Sequence, residues 1–177
     1  MKRSINLILI LYFILLLGFF FNSDPNGGAF GDYQNHLRVI HDFKENFTST
    51  LFKYDTYATR HSPILYIFIS FLYKINFTDG LIRFIGLHIC LLLPIFFYKG
   101  LILKYPNIEK KYLILFSGLI LLSPTFWSLS IWPDSRLYGL IFFSLSIYYF
   151  LNFKEKKNFA DSTKCIIAYS IASYLSP

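Results

Sequence analysis

The chain has 177 residues, 55% of them hydrophobic, 21% aromatic and only 15% charged, with a mean hydropathy of +0.48. That composition lies outside the range of soluble globular domains and points to a membrane protein. The formal charge of +7 does not argue for a nucleic-acid partner, because the lysines cluster in short loops between apolar runs, where the positive-inside rule accounts for them.

The first apolar run, Ile5 to Phe21, is about as long as a helix needs to cross roughly 30 Å of hydrocarbon, and Met1-Lys2-Arg3 supplies its positive flank. It ends in three phenylalanines without a small-residue cleavage pattern, so it reads as an uncleaved anchor rather than a signal peptide. The turn-forming stretch "DPNGG" at 24–28 follows. Beyond it Tyr33, Leu37, Ile40, Phe43 and Phe47 recur at helical spacing opposite Gln34, Asn35, Arg38, Asp42 and Glu45. This predicts an amphipathic helix lying along the membrane.

Further apolar runs lie at 62–77, 81–103, 112–132 and 137–153, and another begins near Thr163. If 62–77 crossed the bilayer, the basic loops at 99–111 and 153–158 would fall on opposite faces, against the positive-inside rule. If it does not cross, Met1–Arg3 and both basic loops share the cytoplasmic side, and "WPDSR" at 132–136 lies outside. The run opens with a proline, carries Lys74 near its end and is short for a span, as an interfacial or re-entrant segment would be. The expected fold is all-α: a polytopic transmembrane helix bundle with an amphipathic outer-face loop between the first two spans. Spans are expected at about 5–22, 81–101, 112–131, 137–153 and 163–177, with 23–80 as the outer loop.

This sidedness brings two acids, Asp32 and Asp134, to one face although about a hundred residues separate them. Each has a plain structural alternative. Asp32 follows Gly31 at the expected helix start, where Asp is a favoured N-cap, and the plain alternative for Asp134 is a solvated carboxylate or one paired with Arg136. Paired carboxylates in a partly desolvated cleft can also divide the work of base and charge stabiliser. Arg38, Lys53, Arg60, Arg83 and Arg136 fall on the same side and are candidates to hold a lipid phosphate, or simply to meet headgroups. His36, His41 and His61 match no specific metal-ligand spacing, and His88 sits in mid-span, expected to bond to a neighbouring helix. Cys90 and Cys165, each within an apolar run, read as buried hydrophobes. "NFT" at 46–48 and at 76–78 forms two acceptor sequons, a pattern common by chance.

Taken in order, "GDYQNHL" at 31–37, "RHSPILYIFISFLYKI" at 60–75, "LIRFIGLHICLLLPIFFYKGLIL" at 81–103 and "LLSPTFWSLSIWPDSRLYGLIFFSLSIYYFL" at 121–151 resemble the amino-terminal module of the GT-C superfamily of membrane glycosyltransferases. Two departures stand out: Ser62 replaces the first proline of the His-Pro-Pro-Leu-Tyr-type segment, and Trp132 stands where an arginine often precedes Pro-Asp. The resemblance implies transfer of a sugar from a polyprenyl-phosphate-linked donor to a cell-surface lipid or glycan acceptor at the outer face of a cell membrane. It implies Asp32 and Asp134 as the catalytic acids, with Arg38, Arg60, His61, Arg83 and Arg136 against substrate. No cofactor is required by it, although a divalent cation is a possible one. Family members usually carry more spans, so the chain is expected to be an amino-terminal part. The alternative is a non-enzymatic membrane protein, such as a transporter or flippase fragment.

Overall fold

The computed structural model describes residues 2–59 and 61–176. Among them the regular structure is entirely helical. Lys2–Phe20 forms α1 and Ala29–Glu45 forms α2; Phe47–Phe52 (α3) and a 3-10 turn at Tyr54–Tyr57 lead to Ile64–Lys74 (α4). Asp79–Cys90 (α5) runs into Leu92–Lys104 (α6), and Lys110–Gly118 (α7) continues through a 3-10 turn to Pro124–Ile131 (α8). Ser135–Lys156 (α9) and Phe159–Leu175 (α10) complete the order.

Side-chain oxygens set several of these boundaries. Thr78, Ser123, Asp134 and Asn158 each accept a backbone N–H from the first turn of α5, α8, α9 and α10, satisfying donors that a helix start leaves free. Pro124 suits the first turn of α8, where no N–H is needed. At Leu91 the division between α5 and α6 coincides with Pro94, which lacks the N–H that would bond to the Cys90 carbonyl and crowds that group.

Within the run 62–77 the helix α4 has 11 residues and rises only about 16 Å, roughly half the hydrocarbon thickness. Among the described residues two helices are long and apolar enough to cross a membrane, Asp79–Lys104 and Ser135–Lys156. The run expected as one span at 112–131 is instead a pair, Lys110–Leu122 and Pro124–Ile131, bent by 65° at a proline. Counting that pair as one span gives three. The apolar part of the first helix, Ser4–Phe20, is shorter.

Two cores meet at α2. Ala29 and Tyr33 from its start join Leu15 of α1, Leu87 and Cys90 of α5, Ile131 at the end of α8 with Trp132 just after it, and Leu137 of α9. Val39, Ile40 and Phe43 from its second half pack on Leu65, Tyr66 and Ile69 of α4. The helix is thus clamped along one stripe, while Gln34, Asn35 and Arg38 on the other face are exposed. Phe47, expected on the buried stripe, belongs to α3 and is exposed. On α1, Leu9, Ile10 and Phe13 are all more than half exposed, an apolar surface that suits lipid better than water.

His88 is satisfied as expected: its Nδ1 lies 2.8 Å from the Phe84 carbonyl, and its Nε2 2.8 Å from the Tyr12 hydroxyl of α1. The carbonyl requires Nδ1 to carry the proton, so Nε2 accepts from tyrosine. Cys90 is fully buried, also as expected, whereas Cys165 is only partly so.

Candidate functional site

Asp32 is not the N-cap of α2. The helix begins one turn earlier, after Gly28, and the carboxylate that serves its first turn is Asp24, whose Oδ2 accepts the Phe30 N–H at 3.0 Å. Asp32 is left half-exposed at the end of the first turn, free of capping duty.

Asp134 is the N-cap of α9 and is almost wholly buried. Its Oδ1 accepts the Arg136 backbone N–H at 2.8 Å and the guanidinium Nε at 2.9 Å, and its Oδ2 accepts Nη2 at 2.7 Å. This two-pronged pairing is the strong form of an arginine–carboxylate contact. Burial alone would raise the Asp134 carboxyl, but the hydrogen bonds and charge of Arg136 outweigh it, so the group titrates below the usual carboxylate range. The same Nη2 reaches Asp32 Oδ2 at 3.1 Å. One guanidinium therefore bridges the two acids, and the plain pairing of Asp134 with Arg136 is present as well.

A second layer stands behind this bridge. His61 Nδ1 lies 2.9 Å from the Ser135 hydroxyl, its ring edge-on to His36 at 5.5 Å, and His36 packs against Tyr66 at 5.0 Å. Burial holds His36 below the ordinary histidine value, partly opposed by the charges of Asp134 and Asp32. Its Nδ1, the Ser62 hydroxyl and the Tyr66 hydroxyl are buried without a partner among the described residues. Of this layer, His61 was expected as a site residue, whereas His36, Tyr66 and Ser135 were not. His36 falls four residues after Asp32, one turn along the same face, the spacing that could have flagged it; Tyr66 and Ser135 arrive by tertiary packing.

The remaining expected cations disperse. Arg83 is buried and committed to protein groups: Nε donates to the Ile131 carbonyl at 3.1 Å, Nη2 to Asn22 Oδ1 at 2.9 Å, and the guanidinium lies 3.7 Å from the Trp132 ring centre. It is a structural cation here, apart from the acids. Arg38 is exposed and forms no ion pair among the described residues. Arg60 lies outside the described residues. Among the described residues no group of three or more His, Cys, Asp or Glu side chains could hold a metal ion. Both Asp134 oxygens are turned to Arg136.

Arg136 also stands at the mouth of an apolar groove of about 610 Å³, with Leu93, Phe97, Phe126 and Leu140 among its walls. A second groove of about 460 Å³ shares Phe97, Ser144 and Ile147 with the first and ends at Lys104 and Tyr105. Together they follow α9 for about 22 Å, with a cation at each end. Chemically, the arrangement offers a half-exposed carboxylate, an adjacent guanidinium and a greasy channel leading away from both.

Comparison with known protein families, curated proteins and solved structures finds no match to this chain.

Proposed function

We propose that the protein is a multi-pass membrane glycosyltransferase, or the amino-terminal part of one, acting at the extracytoplasmic face on a polyprenyl-phosphate-linked sugar. The observation that carries this reading is the position of Arg136, which touches Asp32 and Asp134 and opens onto the apolar groove. An amphiphile with an anionic head matches that combination. In the proposed step an acceptor hydroxyl attacks the anomeric carbon of the donor while the bond from that carbon to the phosphate oxygen breaks. The hydroxyl proton passes to Asp32, and the electron pair leaves with the phosphate beside Arg136. Asp134 acts as a positioning residue, holding the guanidinium by its fork. The acceptor in this reading is a cell-surface lipid or glycan.

A transporter or flippase draws its own support from the 65° break between Lys110–Leu122 and Pro124–Ile131, since discontinuous helices are a transporter feature. The two readings part in one assay. Membranes containing the full-length protein are supplied with a labelled polyprenyl-phosphate sugar, and free polyprenyl phosphate is measured for wild type and for Asp32→Asn. The Asp32–Arg136 pair is about half-exposed on both sides and is worth at most about 1 kcal/mol, so the variant is expected to stay folded. Loss of release in the folded variant supports the transferase; unchanged release removes Asp32 from catalysis.

A further inference from the structure

The groove of about 460 Å³ that ends at Lys104 and Tyr105 lies between α6 and α9, which belong to the two helices long and apolar enough to cross a membrane. We infer that this groove holds an anionic phospholipid of one leaflet, with an acyl chain between the helices and the phosphate at Lys104 and Lys154. The site is at the opposite end from Arg136 and does not rest on the transferase reading.

The depth of the groove matches one leaflet. Ser144, Ile147 and Leu151 of α9 line it at spacings of three and four, so the next position on that stripe is Lys154. From α6 come Phe97 and Leu101, then Lys104 at the end. Between Ser144 and Lys154 the helix rises about 15 Å, half of the roughly 30 Å of hydrocarbon in a bilayer. A lipid chain lying there has its head at the lysine end, whereas a carrier lipid held by its phosphate at Arg136 has its head at the other.

Charge selects the head. Lys104 and Lys154 are exposed, and neither forms an ion pair among the described residues. Of the two acids in the flanking segments, Glu109 is paired with Lys111 at 2.6 Å, and Glu155 lies about 100° round α9 from Lys154, off the stripe. Lys99, also without an ion pair among the described residues, stands over the ring of Phe96, another wall residue, at 5.8 Å. Long stems let the lysine charges extend past the helix ends while their methylenes stay against the apolar wall. Tyr105, 46% exposed at the mouth, is the kind of side chain that settles at a headgroup boundary. Unspent ammonium groups on two adjacent helices at the end of an apolar groove suit a phosphate with a net negative charge. A zwitterionic head brings its own cation and gains less from them.

The full-length protein in maltoside micelles is titrated with phosphatidylglycerol or with phosphatidylcholine of the same acyl chains, and bound lipid is counted by native mass spectrometry. One lysine at a lipid surface changes affinity about fivefold and two about thirtyfold, so phosphatidylglycerol is expected to bind about tenfold or more tighter than phosphatidylcholine. Lys104→Gln combined with Lys154→Gln is expected to bring the two lipids close to parity. Lys44→Gln combined with Lys53→Gln, the same loss of charge on α2 and after α3, is expected to leave the preference intact. Ile147→Trp and Leu101→Trp fill the groove from either wall, and each is expected to weaken phosphatidylglycerol binding by about tenfold. The inference is overturned by equal affinity for the two lipids in wild type, or by a preference that survives the loss of Lys104 and Lys154. It is equally overturned by a preference that falls as far in the Lys44 and Lys53 control, or by undiminished binding in both folded tryptophan variants.

Discussion

Replacing Arg136 with glutamine leaves the Asp134 carboxylate, with a side chain only 3% exposed, without the two guanidinium hydrogen bonds it accepts at 2.9 and 2.7 Å. Breaking a fully buried pair from one side costs about 3–5 kcal/mol. Here the guanidinium is 47% exposed and Asp134 keeps the backbone N–H of residue 136, so a loss of about 2–3 kcal/mol is expected. Asp134→Asn removes the charge that would be stranded while keeping a capping side chain, so adding Arg136→Gln to it is expected to cost much less, with a coupling of about 1–2 kcal/mol. The assay is reversible unfolding in mixed micelles for wild type, both single variants and the double variant, repeated across pH.

The pH dependence gives a second, sign-sensitive readout. In the wild type the Asp134 carboxyl lies below its ordinary value of 3.8, so its contribution is complete above that value and is lost as pH falls through the folded-state titration. In Arg136→Gln only the residue 136 backbone N–H and the charge of His61 are left to oppose burial, so the carboxyl rises from its wild-type position and acidification costs less stability than in the wild type. A loss under about 0.5 kcal/mol, which is the scale of an ordinary surface change, would refute the reasoning, as would a coupling near zero.

The other expected outcomes concern positions away from that fork. Burial lowers His36 from its ordinary value of 6.5, so the unfolded chain binds the extra proton and stability falls as pH drops below that value. Pulse proteolysis against pH should show this slope in wild type and a flatter one in His36→Phe; equal slopes would remove His36 as its source. Tyr12→Phe strands the His88 Nε2 and is expected to cost about 0.5–1.5 kcal/mol, read by the same micellar unfolding, and no change would mean that the Tyr12–His88 bond adds nothing. Gly139→Ala would set a Cβ 2.6 Å from the Ser176 Cβ and 3.3 Å from the Ala172 carbonyl. The end of α10 must then move from α9 at about 1–3 kcal/mol, and an alanine variant as stable as wild type would argue against that packing.

The apolar runs, the short helix after His61 and the stripe of α2 were legible because each is a local pattern: run length and three-to-four spacing carry it. The meeting of Asp32 and Asp134 was expected from loop charge, although that reasoning does not identify Arg136 as the bridge. Features decided by reach across the chain were not legible. The first turn of α2 is served by Asp24 from six residues upstream, which moved the helix start ahead of Asp32. Arg83 looked like a substrate cation because an isolated arginine in an apolar run carries no mark of its partners; only folding brings Ile131, Asn22 and Trp132 around it. The bend before α8 had a local sign in Pro124, but a proline at a helix start and one that turns the chain by 65° look alike in one dimension.

The account depends most on where the bridged acids stand relative to the bilayer. In a chain with Cys165 replaced by serine, single cysteines at Gln34, Lys74 and Lys156 are treated in intact cells with a membrane-impermeant maleimide, then again after permeabilisation. The proposal predicts labelling at positions 34 and 74 in intact cells and at 156 only after permeabilisation. Labelling of 156 from outside, or protection of 34 and 74 until the membrane is opened, would put Asp32, Arg136 and Asp134 on the cytoplasmic face and contradict it.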